Sequence, residues 1–219
     1  MQTNIHIFDM DHTVIDNDCD VSWKQFLVAK KIAPDDAIQK ADYFYQQYRN
    51  NQLELTTYLA FQLYEFRGKT KNEMQELAAE HFHTIVKPRI FPAATDYIRD
   101  LQDKDYTTAI CTSTNSVIAA PLALHLNIPY LLATEPELEN SFYTGQISGP
   151  YAGGEGKVQK ANKLCQTLTA SFKDVAYYGD SLSDVPLLKK VGQPIAVNPD
   201  ENLLAIAKEK TWTIKHWHI

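Results

Sequence analysis

Apolar and polar positions follow two different rhythms along the chain. Near both ends, short apolar runs stop at acidic or turn-forming residues. Ile5-His6-Ile7-Phe8 stops at Asp9, and Thr107-Thr108-Ala109-Ile110-Cys111 stops at Thr112. Val175-Ala176-Tyr177-Tyr178 stops at Gly179-Asp180, and Pro194-Ile195-Ala196-Val197 is a fourth run. Runs this short, β-branched or aromatic and bounded by turn residues, predict buried strands. Helix-periodic stretches lie between them at 93–104, 116–126, 157–168 and 184–190. Strands alternating with helices predict an α/β fold, a doubly wound, Rossmann-like parallel sheet covered on both faces. In such sheets ligands gather outside the carboxyl ends of the strands.

Residues 18–86 keep a different rhythm. Leu55, Tyr58, Leu59 and Gln62 recur at helical spacing, as do Met74, Leu77, Ala78, His81, Phe82 and Ile85, and no strand pattern interrupts them. The stretch therefore predicts an α-helical insertion. Residues 1–16 and 88–219 would form the α/β core, and 17–87 a helical cap. The cap is dense in aromatics (Tyr43, Phe44, Tyr45, Tyr48, Tyr58, Phe61, Tyr64, Phe66). Most are expected to pack its own core and a few to face the sheet. Residues 142–149 read as a small hairpin arm, and 151–157 as a glycine-rich loop entering a helix.

Composition narrows the function classes. A chain of 219 residues with 44% apolar and 22% charged residues is an ordinary globular protein. Its net charge of −6 carries no basic footprint, so nucleic acid is not an expected partner. Cys19, Cys111 and Cys165 are odd in number and widely spaced, which predicts reduced thiols rather than disulfides or a zinc site. The acidic N-terminal segment has no signal-peptide pattern, and no apolar run reaches the ~20 residues that span a membrane. The expected location is the cytoplasm, with no membrane partner; the pattern sets no oligomeric state.

The strand ends carry the chemistry. Asp9 and Asp11 close the first, Thr112 the second and Asp180 the third, with Asp184 four residues on and Lys157 opening a helix. On a parallel sheet these groups converge at one edge. Four carboxylates in one cleft repel by several kcal/mol at ~4 Å unless screened. A hard divalent cation removes the conflict, and magnesium favours one or two carboxylates with phosphate and water. With Lys157, such a site would attract a phosphate. The residue types point to phosphoryl transfer, with one carboxylate as nucleophile and a second as acid and base.

D-M-D-H-T (Asp9 to Thr13) resembles the DxDxT first motif of the haloacid dehalogenase superfamily of phosphohydrolases. I-C-T-S-T-N resembles its second motif, G-E-G-K its third, and Y-Y-G-D-S-L-S-D its fourth, in the family's order. The insertion between the first two motifs resembles the cap of the phosphoserine phosphatase-like branch. The resemblance implies Mg2+-dependent hydrolysis of a small phosphomonoester through an aspartyl-phosphate. Phosphoserine-like or histidinol phosphate-like substrates fit this reading. Asp9 would be the nucleophile and Asp11 the acid and base. Asp9, Asp11 (through its carbonyl), Asp180 and Asp184 would serve the metal. Thr112, Ser113 and Lys157 would grip the phosphate, and Thr13 would brace the loop. Ser113-Thr114 stands where phosphoserine phosphatases usually carry two glycines. Asp18 stands where they often place a substrate-binding Glu, which would let it contact an amine with a shorter side chain; read without the resemblance, Asp16, Asp18 and Asp20 form a solvated cluster that starts a helix.

Other readings fit less well. The same machinery could transfer phosphate to another acceptor, as a phosphotransferase or phosphomutase does. A non-enzymatic receiver domain shares the acid, hydroxyl and lysine set, but is smaller and has no large helical insertion. G-D-S-L at 179–182 mimics an esterase signature, yet no D-x-x-H follows. G-G-E-G-K-V is not a phosphate-binding loop of the NTPase type, because Tyr151 and Val158 occupy positions that pattern reserves for Gly and Ser or Thr. His81/His83 and His216/His218 are expected to be packing or surface residues rather than metal ligands.

Overall fold

The computed structural model describes residues 4–50 and 52–218. Six parallel strands form one sheet, with spatial order β3-β2-β1-β6-β7-β8. They are β1 (Ile5–Phe8), β2 (Thr107–Asn115), β3 (Tyr130–Thr134), β6 (Val175–Gly179), β7 (Gln193–Val197) and β8 (Thr213–Lys215). The doubly wound arrangement follows from where β1 lies. It pairs β2 on one side (Phe8 with Ile110) and β6 on the other (Phe8 with Tyr178), so the chain winds outward in both directions. The reversal point is thus the end of β1, where an open α/β sheet splays its strand ends into a crevice.

Alternation along β1 supplies both faces. Ile5 and Ile7 join Val158, Leu164, Leu187 and Leu203 under helices α7 (Glu155–Thr167), α8 (Val185–Leu188) and α9 (Glu201–Glu209). Phe8 joins Ile98, Leu101, Ile118 and Leu122 under α5 (Pro92–Asp103) and α6 (Ser116–His125). That second cluster runs on without a break into Trp23, Phe66, Met74 and Phe82. These belong to the helical stretch that follows β1: α1 (Cys19–Ala29), α2 (Asp36–Arg49), α3 (Leu55–Gln62) and α4 (Lys71–His81). Asp18 N-caps α1 by accepting from Val21 N at 2.8 Å, and Thr70 and Glu73 form a capping box at α4.

Four differences from the expected elements have local causes. Tyr130–Thr134 and Thr213–Lys215 are strands beyond the four expected, both short and at the sheet edges, with too few residues to show a periodicity. The hairpin is β4 (Pro136–Glu139) with β5 (Phe142–Ile147), shifted toward the N-terminus. Its two-residue turn is Asn140-Ser141, both at positive φ as such hairpin turns require. The helix expected at 184–190 is a 3-10 turn (Leu182–Asp184) running into α8.

Candidate active site

Asp9 follows β1 and is pinned by its backbone, whose N–H donates to Tyr178 O at 2.8 Å. The chain then turns sharply. Thr13, Val14 and Ile15 N all point at Met10 O, and His12 takes a φ of 55°. This tight loop delivers Asp9 and Asp11 to opposite sides of one turn. Thr112 sits where the β2 ladder breaks: pairing with β1 ends at Ile110, and pairing with β3 shifts between Cys111 and Asn115. Released from the ladder, Thr112 Oγ1 accepts from Thr114 N at 3.1 Å. Thr134 Oγ1 fixes the Ser113 carbonyl at 2.7 Å.

Lys157 enters from the first turn of α7, fully buried. Its ammonium lies 2.8 Å from Asp9 Oδ1 and 2.6 Å from Asp184 Oδ1. Gly156 makes this approach possible, because a Cβ there would lie 1.8 Å from Tyr151 O. Burial alone would lower the lysine, but Asp184 and Asp9 outweigh it and hold the ammonium well above the ordinary lysine range. Asp184 is saturated. Besides Lys157 it accepts from Tyr177 OH at 2.5 Å, Asp180 N at 3.0 Å and Ser181 N at 3.1 Å. Gly179 leaves room for that carboxylate, since a Cβ there would stand 2.4 Å from its Cγ. Asp184 thus buttresses Lys157 and the Asp180 loop.

Carboxylate oxygens of Asp9, Asp180 and Asp184 all lie within 4.8 Å of one another. Burial, with Lys157 opposing and Asp184 adding repulsion, brings Asp9 up to about 6. Burial, then the charges of Asp184 and Asp9, pushes Asp180 well above the carboxylate range. With Asp184 occupied by donors, Asp9 and Asp180 are the pair with capacity left for an ion. Two buried, mutually repelling carboxylates supply the hard oxygen donors that magnesium takes, so the set fits that ion.

The Asp11 carboxylate stands apart from this trio. Its Oδ1 accepts from Cys19 N at 2.9 Å and its Oδ2 from Thr114 Oγ1 at 2.8 Å. Burial raises it strongly, and Asp18, Asp20 and Asp9 add repulsion, so it favours the protonated form. That is the state a general acid needs. Thr114 stood in the sequence only as a departure from a glycine, and its hydroxyl is what holds Asp11.

A cleft opens between the strand ends and the helices. Asp9, Asp11, Ser113 and Asp180 line one wall, and Asp18, Asp20, Phe44, Tyr48, Tyr58 and Gln62 the other. Of the aromatics in the helical stretch, Phe44, Tyr45, Tyr48 and Tyr58 face this cleft, whereas Tyr43 and Tyr64 are exposed. Tyr48 reaches across, its hydroxyl donating to Ser183 Oγ at 2.7 Å. Ser181 caps the 3-10 turn that carries Asp184. His81 packs on Trp23 and bonds Ser22 Oγ at 3.0 Å, His83, His216 and His218 are not buried, and none joins a metal-binding group among the described residues. The three cysteines are buried and free. Among the described residues, no helix is long and apolar enough to cross a membrane.

Sequence and structure comparisons converge on one family. The profile of the haloacid dehalogenase-like hydrolases matches residues 7–189. A histidinol-phosphatase of Neisseria meningitidis serogroup C (strain 8013) is 33% identical over 218 residues, covering 96% of this chain and 97% of that protein. A protein of unknown function from Bordetella pertussis Tohama I superposes with a TM-score of 0.89 at 30% identity, over 98% of this chain and 99% of that one. A phosphoserine phosphatase solved as a phospho-aspartyl intermediate analogue shares the fold, with a TM-score of 0.72 at 16% identity, over 99% and 94% of the two chains.

Proposed function

Because the chain belongs to the haloacid dehalogenase-like hydrolases and is a phosphatase, we propose that it hydrolyses a small phosphomonoester bearing an amine, through an aspartyl-phosphate on Asp9. The observation that carries this reading is the Asp9 carboxylate. It is buried at the cleft, ion-paired to Lys157 at 2.8 Å and grouped with Asp180. An Asp9 oxygen attacks phosphorus, and the bond from phosphorus to the ester oxygen breaks. Asp11, held between Cys19 N and Thr114 Oγ1, gives its proton to the departing alkoxide. The ionised Asp11 then takes a proton from the water that attacks the phosphorylated Asp9, releasing phosphate and restoring both carboxyls. Lys157 and Thr112 hold the phosphoryl oxygens. Magnesium, held by Asp9, Asp180 and the Asp11 carbonyl, would supply neutralisation of the charge on the phosphate oxygens.

The helical stretch 17–87 acts in this reading as a cap. It closes the second wall over the phosphate and excludes water from the first step. Asp18 and Asp20 on that wall favour a positively charged group, as phosphorylated amino alcohols and amino acids carry. Asp9→Asn tests the chemistry. The variant should fold, bind inorganic phosphate and lose release of phosphate from p-nitrophenyl phosphate. Rates close to wild type would exclude Asp9 as the nucleophile.

A further inference from the structure

The cap wall of the cleft presents acceptors, and one of them lacks a partner. Tyr58 and Gln62 lie one turn apart on α3, so both face the cavity. The Tyr58 hydroxyl donates to Asp20 Oδ2 and holds that carboxylate in place. Gln62 is 5% exposed, and its Oε1 is buried with no hydrogen-bond partner. A buried polar atom left unpaired is destabilising, so its presence beside a cavity points to a ligand donor. Asp18 and Asp20 line the same wall.

Charges elsewhere in the cleft set the direction of discrimination. Among the described residues lining it, Arg49 is the permanent cation. Arg49 and His12 also border the groove beside Asp180, Asp200 and Glu201, on the sheet side. Arg49 bonds Tyr45 OH and feels Asp200 and Asp180. A substrate carboxylate placed against Asp18, Asp20 and Gln62 would meet two carboxyl groups and the unpaired Gln62 oxygen, none of them a cation. A substrate group with several N–H donors would satisfy all three.

We propose that Asp20 and Gln62, with Tyr58 holding Asp20, form a selectivity subsite for a cationic, N–H-rich end that carries no carboxylate. The preferred substrate class is then an amino-alcohol phosphate with a second N–H group, rather than a phosphorylated amino acid. The inference rests on the phosphomonoesterase reading above and specifies the side of the substrate that reading leaves open.

The test compares kcat/KM for histidinol phosphate, O-phosphoserine and p-nitrophenyl phosphate in the magnesium-loaded enzyme. Wild type should favour histidinol phosphate over O-phosphoserine by at least about 100-fold. In Asp20→Asn, the ratio of histidinol phosphate to p-nitrophenyl phosphate efficiency should fall at least about 10-fold, mainly through KM, as expected for a lost charged contact. Tyr58→Phe keeps the ring packed on Phe44 and should shift the same ratio the same way, by several-fold. A wild-type preference for O-phosphoserine, or ratios within twofold of wild type in both variants, would overturn the subsite while leaving the phosphatase reading intact. Failure of wild type to turn over any of the three would overturn both.

Discussion

Replacing Lys157 with Met removes the ammonium buried between Asp9 and Asp184 and keeps most of its volume. Its two ion pairs at 2.8 and 2.6 Å disappear, and Asp9, Asp180 and Asp184 are left facing one another. Breaking a buried pair by removing one partner costs about 3–5 kcal/mol. For a chain of this size each kcal/mol moves the midpoint by about 2–4 °C, so Tm should fall by roughly 6–20 °C. The loss should also depend on pH. Asp9 already titrates at about 6 in the wild type, above the 3.8 of a free aspartate. A carboxyl raised in the folded state binds protons on folding. Keeping it ionised therefore costs stability once pH passes about 4, and the full cost is reached above 6. Without Lys157 the folded value climbs further, so the gap between variant and wild type widens from pH 5 to pH 8. Urea unfolding in the presence of a chelator, at both pH values, measures this. Added magnesium should return part of the lost stability. A loss below about 1 kcal/mol, or one equal at pH 5 and pH 8, would refute the ion-pair account.

Three further expectations follow. Thr114→Val removes the hydroxyl that donates to Asp11 Oδ2 and should lower kcat on p-nitrophenyl phosphate by about 10-fold with little change in KM, because Asp11, the proposed acid and base, loses its orientation; an unchanged kcat would count against that role. Exhaustive chelation should stop phosphate release and magnesium should restore it, whereas turnover that survives chelation would remove the metal from the account. His6 and His81 are buried, and burial lowers each from 6.5 to about 4. Both must stay neutral in the fold, so each contributes stability that is present above 6.5 and lost as pH falls toward 4. The loss is about 2 kcal/mol for His81 by pH 5 and smaller for His6, whose ring is more screened by solvent. His81→Gln should flatten the urea-derived stability profile by that amount between pH 7 and pH 5; an unaltered slope would contradict the burial argument.

Much of this fold is legible in the sequence because a parallel sheet imposes blunt signals. β1, β2, β6 and β7 are buried on both faces, so their apolar runs stand out and stop where the crevice begins. β3 and β8 lie at the two edges, where pairing rather than composition defines a strand, and both escape pattern reading. The convergence of Asp9, Lys157, Asp180 and Asp184 is legible for the same reason, since Asp9, Asp180 and Asp184 follow strand ends of one sheet and Lys157 opens a helix behind a glycine-rich loop. Which oxygens are already committed is not legible. Nothing in the spacing of Tyr177 tells that its hydroxyl saturates Asp184, and nothing local tells that Thr114 reaches Asp11 across 103 positions. The wall built by Asp20, Tyr58 and Gln62 is hidden more deeply. It depends on how α1 and α3 pack, and a helix buried among other helices shows its apolar stripe more clearly than its polar guests.

The hydrophobic cluster that runs unbroken from Phe8 and Ile98 into Trp23, Phe66 and Met74 constrains how this enzyme can change over evolutionary time. Helix α1 contributes Trp23 and Leu27 to that cluster, while its N-cap and first turn hold Asp18 and Asp20 against the cleft. One helix therefore answers to two selective pressures. A drift in its packing retunes which molecules are accepted, and a change in preferred metabolite is felt as a change in robustness. Swapping the helical stretch wholesale between relatives would strip apolar cover from the sheet itself. In the proposed reading, single-residue steps along the first turn of α1 and the inner face of α3 would change specificity while Trp23 and Leu27 keep the shared interior covered.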